Sequence, residues 1–496
     1  MSSAPRVRLL RHALAALAAC GALVQVQAQV QAPPAPAPAP LRHPGSLVAL
    51  PGGPLLLAAD AGDTGGAEVA HGVELWAVDA ADGSRRLVRD IRPGPLGSHP
   101  SGLTLWRGHA YFAADDGVHG LELWRSDGTA AGTVRVADIR PGPEGALPNG
   151  FVAMGDALYF SADDGRHGFE LWRTQGTAET TVLVADIHTG APGALPRQLT
   201  VLGDALLFSA NDAEGGTELW RSDGTAAGTQ RVRDIRPDGD ANPEALTRVD
   251  GQLFFTADDG RHGRELWRSD GTAAGTQLVR DIRPGRDSAQ PRHLVQAGGR
   301  LWFAADDGRH GIELWRSDGT AEGTALVADI RPGPANALPS HLTALGGQVV
   351  FAAYDGVHGV EPWISDGTAA GTRLLADLQP GPGHSNAWAF VRLGERIVFA
   401  ADDGRHGMQA WQTRGQAQDT QPLQDTPAGA PGIYPRGFVA WDGRVAFVAE
   451  AADGSTYLAF DAPPARNCGS ADSGTVGKAP AGTGCVAEAS SSSYSR

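Results

Sequence analysis

A tryptophan recurs in this 496-residue chain at Trp76, Trp124, Trp172, Trp220, Trp267, Trp315, Trp363 and Trp411, with spacings of 48, 48, 48, 47, 48, 48 and 48 residues. A period this regular across eight units admits few architectures, because one supersecondary unit must be copied through an array. The fullest copy, 293–334, divides into four short apolar runs separated by turn residues. Strands are predicted over 293–297, 300–305, 312–317 and 325–330, with Gly298-Gly299, the loop 306–311 and Asp318-Gly319-Thr320 between them. The glycine pair supplies the positive φ of a two-residue hairpin, and helical spacing is absent.

Four antiparallel strands in ~48 residues match a propeller blade. The expected fold class is therefore all-β: a β-propeller of eight or nine four-stranded antiparallel blades. A partial unit at 437–461 supplies three strands and no fourth. Either nine blades close the ring, the last without its outer strand, or eight close it and the remnant caps one side. The repeated tryptophan is expected between neighbouring blades, where burying each ring contributes about 2 to 3 kcal/mol.

Around the repeat the chain reads as four regions. Residues 1–28 have the parts of an export signal, with Arg6, Arg8 and Arg11, an apolar stretch, and Val26-Gln27-Ala28 at the cleavage site. A Pro/Ala-rich linker follows at 29–45, the repeat domain at 46–461, and a Gly/Ser-rich tail at 462–496. Leu17-Ala18-Ala19-Cys20-Gly21 resembles a lipobox, so the expected location is extracytoplasmic, either secreted or periplasmic or, through a lipid anchor at Cys20, an outer-membrane lipoprotein. Cys468 and Cys485 form an even pair for an oxidising compartment, and a disulfide is expected between them. A net charge of -15 argues against a nucleic-acid or anionic-membrane surface. No later run reaches the ~18 apolar residues of a membrane span. A monomer is expected.

The motif Glu-Leu-Trp-x-Ser-Asp-Gly-Thr stands nearly intact at 122–129, 218–225, 265–272 and 313–320. On these residues the chain resembles the bacterial exported proteins named for their ELWxxDGT repeat, over 46–461, and is more distantly similar to kelch repeats. The resemblance implies fold and export, and no chemistry.

If the first strand of each unit is innermost, one face of the ring collects the Asp-Asp-Gly-x-His-Gly loops and the Arg-Pro-Gly connections. Candidate ligand-face residues are Asp116, His119, Asp164, His167, Asp259, His262, Asp307, His310, His358, Asp403 and His406, with His71 in the longer first loop. Unit four has no such histidine. Because these residues recur in nearly every unit, a structural task is expected: the aspartate caps the turn and the histidine bonds to backbone or carboxylate. Calcium is the cofactor such loops suggest next, but the ladder of a specific calcium loop is missing. No metal ligands are assigned. The fourth-strand aspartates Asp90, Asp138, Asp186, Asp234, Asp281, Asp329 and Asp377, most followed two residues later by Arg, suggest an ion-pair network with the Glu of the third strand.

No nucleophile elbow, Walker loop, zincin or dinucleotide fingerprint is present, so no catalytic residue is assigned. Departures from the repeat occur at Tyr354, Pro362, Asn386, Trp388 and the acidic loop of unit four. The expected function is a non-enzymatic exported module that binds a protein or glycan partner at the cell envelope. The alternatives are a calcium-dependent adhesion or matrix protein, and a propeller hydrolase or lyase whose site would show as a symmetry-breaking polar pocket at the axis.

Overall fold

The computed structural model describes residues 45–60, 71–80, 82–424, 427, 429, 431–452 and 454–461. All of these belong to the compact unit Ala39–Arg496. The expected export signal, Cys20, nearly all of the linker, and the tail with Cys468 and Cys485 lie outside the described residues.

The described strands form nine antiparallel sheets, eight of four strands and one of three, each built from consecutive strands in chain order. The inner strands of successive sheets lie side by side, from Leu47–Ala49 and Ser101–Trp106 round to Arg436–Trp441, which returns beside Leu47–Ala49. The ring is therefore a nine-bladed β-propeller, and the choice between eight and nine resolves to nine. Among the described residues the ninth blade has three strands, the third being Thr456–Phe460. Among the described residues the only helical turn is the short Ala417–Asp419 segment, and no helix is long and apolar enough to cross a membrane.

Blade six shows why this sequence makes a blade. Its strands are Arg292–Ala297, Arg300–Asp306, Ile312–Ser317 and Ala325–Ala328, close to the spans read from the repeat. Leu301, Trp302, Phe303, Ala304 and Ala305 are all buried, because the second strand meets a neighbouring sheet on each face. The tryptophan of each third strand packs against the preceding blade. Trp315 lies on Leu266, Val279 and Ile282 of blade five, and Trp172 on Leu123, Val136 and Ile139 of blade two. Seven of the repeated tryptophans are buried at 4–8% exposure, whereas Trp76 is half-buried. Its seat is the ninth blade, with Trp441, Leu458 and Phe460.

The outer turn explains the Ser-Asp-Gly-Thr motif. Asp318 Oδ1 accepts the backbone N–H of Thr320 at 2.9 Å and its hydroxyl at 2.7 Å, while Ser317 and Thr324 share a 2.7 Å hydroxyl bond. A Cβ on Gly323 would fall 2.0 Å from Asp318 Oδ1, so the later glycine of the turn makes room for the carboxylate.

The motif glutamates are fully buried. Glu265 accepts the backbone N–H groups of Ile282 at 3.0 Å, Ala289 at 3.0 Å and Arg283 at 3.4 Å, tying the third strand to the segment that leads into blade six. The expected network between Asp-x-Arg and this glutamate is thus corrected, since the glutamate serves backbone amides. The arginines reach across the blade boundary instead, Arg140 to Asp163 at 2.6 Å and Arg236 to Asp258 at 3.0 Å. Where Tyr354 replaces that aspartate, Arg331 lies over its ring at 4.6 Å.

Candidate active site at the axial mouth

Antiparallel order brings the second-to-third-strand loops, the blade-to-blade connections and the starts of the inner strands to one end of the ring. The Asp-His loops at this end behave as closed local units. Asp307 Oδ1 accepts the backbone N–H groups of Arg309 and His310, both at 2.9 Å, and Asp307 Oδ2 meets His310 Nδ1 at 2.8 Å. The same pairing joins His119 to Asp116, His167 to Asp164 and His262 to Asp259 at 2.8 Å, and His406 to Asp403 at 2.6 Å. His358 pairs with Asp355 at 2.7 Å, an aspartate obscured in the sequence because Tyr354 breaks the Asp-Asp doublet. In blade four, Arg231 takes the place of the missing histidine, 3.3 Å from Asp212. His71 bonds to Asp90 at 2.9 Å. Burial would raise the carboxyls of Asp116, Asp164, Asp259, Asp307, Asp355 and Asp403, but the backbone and histidine hydrogen bonds outweigh it and hold them below the usual carboxylate value. The bond to aspartate in turn raises His167, His262, His310 and His358. Among the described residues no three His, Cys, Asp or Glu side chains are grouped to hold a metal ion.

The inner strands differ from blade to blade. In blades two to nine the second residue of the inner strand sits at a β-bulge with positive φ, between 55° and 70°. Glycine occupies it in blades two, three and nine, as Gly102, Gly150 and Gly437. In five consecutive blades, four to eight, it is Gln198, Ala245, His293, His341 and Ala389. Left-handed backbone at a non-glycine residue costs roughly 1 to 2 kcal/mol, and bulges re-aim side chains. Five adjacent departures from glycine mark this arc of the axis as different from the rest.

A recess of about 590 Å³ opens here, lined among others by Gln198, Glu244, Arg264, Gln290, Arg292 and His293 from blades four, five and six. Gln198 Oε1 accepts the backbone N–H of Leu246 at 3.2 Å, bracing two inner strands across the blade boundary. Arg264 begins the third strand of blade five. Its Nη1 donates to the Asn242 carbonyl at 2.8 Å and to Thr256 Oγ1 at 3.2 Å, and lies 3.6 Å from Glu244 Oε2. Arg292 Nη2 donates to Gln290 Oε1 at 2.8 Å. His293 is followed around the axis by His341, ring centroids 5.9 Å apart, and then by Phe390 at 6.5 Å. Enclosure by neighbouring strands, then the charges of His341 and Arg292, lower the His293 pKa below the ordinary imidazole value, and enclosure lowers His341. A second recess of about 370 Å³ adjoins, where His188, Asn211 and Arg197 stand at or beside departures from the repeat.

None of the sequence-predicted ligand-face residues lines the larger recess. The signal that could have found it is the position two residues after the connecting proline, Pro-x-Gly in units two, three and nine but Pro-Arg-Gln, Pro-Glu-Ala, Pro-Arg-His and Pro-Ser-His in units four to seven.

No protein-family model and no curated protein matches the chain. Among solved structures it is similar to puromycin hydrolase, at 17% identity and TM-score 0.38, covering 71% of this chain and 58% of that one. It is also similar to a prolyl endopeptidase, at 12% identity and TM-score 0.41, covering 71% and 54%. A third similar structure is the β-propeller domain of the Trilobed protease from Pyrococcus furiosus, at 11% identity and TM-score 0.34, covering 64% and 95%. The chain spans little more than half the length of the first two, and at these values no residue of theirs carries over. Their names are those of hydrolases and peptidases. The expected non-enzymatic binding scaffold finds no support among them, and at these TM-scores the likeness carries no argument for an activity of this chain.

Proposed function

We propose that the protein is a propeller enzyme of the hydrolase or lyase type that takes a carboxylate-bearing substrate at the axial mouth. The observation that carries this reading is the run of non-glycine residues at the strained bulge position, which brings His293 to a recess holding Arg264, Arg292 and Glu244. Strained backbone at a cleft is retained where the side chain it carries has work to do. Two guanidinium groups against one carboxylate leave the recess net positive, which suits an anionic group on the substrate. A His293 held neutral at pH 7 can accept a proton, from water in a hydrolase or from a carbon beside the bound carboxylate in a lyase. Glu244 acts through Arg264 as a positioning residue. The export-type pattern read in residues 1–28 supports an activity outside the cytoplasm.

The full chain is to be assayed with succinyl-capped peptide nitroanilides, nitrophenyl hemisuccinate esters and polyuronates, all carboxylate-bearing, following released nitroaniline, nitrophenol or unsaturated product. His293→Gln is expected to lower kcat by about 100-fold or more, and Glu244→Gln to raise KM with kcat little changed. Turnover that survives in both variants would remove the axial mouth from the mechanism.

A further inference from the structure

The boundary between blades three and four is built unlike its neighbours. At other boundaries an arginine after the outer strand meets an aspartate of the next blade, Arg140 with Asp163 at 2.6 Å and Arg236 with Asp258 at 3.0 Å, and likewise Arg92 with Asp115 and Arg283 with Asp306. Between blades three and four both partners are exchanged, the arginine for His188 and the aspartate for Asn211. Asn211 keeps the loop-capping half of the aspartate's task, its Oδ1 accepting the Ala213 backbone N–H at 2.8 Å, and its Nδ2 turns to Thr217 Oγ1 at 3.3 Å. His188 gains no such substitute: among the described residues its buried Nδ1 has no hydrogen-bond partner. An unpaired buried polar atom is a cost, in a fold that satisfies the same position with an ion pair elsewhere.

The exchange leaves room. The smaller recess, about 370 Å³, is lined by His188, Leu195, Arg197, Asn211, Thr217 and Asn242 among others, and falls at the small end of the roughly 300 to 1,000 Å³ range of ligand pockets. Arg197 is exposed, and no carboxylate lines the recess. Asp240 and Glu170 at this boundary are engaged elsewhere, by the backbone N–H groups of Thr217 at 2.6 Å and of His188 at 3.0 Å. The two recesses are joined through shared backbone. Arg197 of the smaller is followed in the chain by Gln198 of the larger, and the carbonyl of Asn242 in the smaller accepts Arg264 of the larger at 2.8 Å.

A ligand that fills both recesses meets guanidinium groups in each, so it carries an acidic group for each. Asn211, Thr217 and Asn242 have side chains that both donate and accept, which suits hydroxyl groups beside a carboxylate. We propose that the smaller recess is a second subsite, holding the neighbouring uronic acid unit when the larger recess holds the unit that reacts, and that the substrate is an acidic oligosaccharide of two or more units. Arg197 takes the second carboxylate, and His188 and Asn211 take hydroxyls. The assignment of the reacting unit rests on the axial-mouth reading above.

Calorimetric titration of the full chain carrying His293→Gln, with oligogalacturonates and oligomannuronates of one to four units, tests this. Affinity is expected to rise at least about tenfold from one unit to two. Arg197→Ser on this background should return the two-unit ligand to the affinity of the one-unit ligand. So should His188→Arg combined with Asn211→Asp, which rebuilds the ion pair of other boundaries and fills the recess. Its melting temperature should be no lower than that of the background, so that lost affinity is not lost folding. Affinity that does not grow with length, or that grows equally in both variants, would overturn the second subsite. Tighter binding of pentaglutamate would do the same and assign the mouth to an acidic peptide. Turnover of the parent chain judges the axial reading separately. Its loss in His293→Gln with flat affinities would fail only the subsite, and length-dependent affinity without turnover would fail only the chemistry.

Discussion

Glu122, Glu218, Glu265 and Glu313 are each fully buried and each accept backbone N–H groups from the segment after their own outer strand. Asp127, Asp223, Asp270 and Asp318 each cap their turn at 2.9 Å. Nearer the axis such sameness ends, and one backbone conformation is filled by glycine in some blades and by Gln198, Ala245, His293, His341 or Ala389 in others. The outer layers solve a problem every blade shares, how to stack on its neighbour, and one answer serves for all. The inner strands face a common axis rather than a neighbour's core. There a change in one blade leaves the stacking intact, and residues can differ for reasons of chemistry.

The largest effect should come from the stacking layer. Trp315→Ala is expected to destabilise the ring by about 3 to 5 kcal/mol through the cavity left on blade five. Trp76→Ala, at the half-covered seam, should cost at most about half as much; denaturant midpoints of the two variants make the comparison. Equal losses would mean that the seam is packed like any other blade junction. Next, Glu265→Ala strips the acceptor from three backbone donors and should cost about 2 to 3 kcal/mol by the same measurement.

The buried glutamates also set a pH dependence. Burial pushes Glu122, Glu170, Glu218, Glu265, Glu313 and Glu361 up to about 7, against the hydrogen bonds that favour their charge. Because the folded value lies above the unfolded one, their contribution is whole below about pH 4.5, the unfolded value, and is lost as pH rises through about 7. The histidines raised by their aspartates act in the same direction. The melting temperature is therefore expected to fall by a few degrees between about pH 5 and about pH 8, and Glu265→Gln should flatten its share of that slope. A melting temperature that climbs over this range would show that the backbone donors outweigh burial.

The smallest stability effects carry the sharpest contrast. Gly150→Ala forces a side chain into the left-handed conformation and should cost about 1 kcal/mol, while His293→Gly should return up to about 1 kcal/mol. Only the second should touch turnover.

The fold was legible because the outer layers repeat: the tryptophan beat, the glycine pairs and Asp-Gly-Thr fixed blade and strand. Closure by nine blades was not, since it depends on whether Arg436–Trp441 meets Leu47–Ala49 across nearly 390 residues of chain. The candidate site was hidden for the opposite reason. Attention to the histidines that recur led to Asp116, His119 and their equivalents, which the structure turns inward on each other. His293 and His341 stand outside that pattern, and only comparison of inner strands against Gly102, Gly150 and Gly437 exposes them. The Arg of the Asp-x-Arg pairs was visible, but its partner in the next blade was not, because sequence order says little about which loop end lies across a blade boundary.

Turnover of His293→Gly, measured on protein that melts no lower than the parent chain, tests the central claim most directly. A ring at least as stable as before, with activity reduced by about 100-fold or more, is the predicted result. Full activity in that variant would show that the strained arc around the axis is there for some reason other than chemistry.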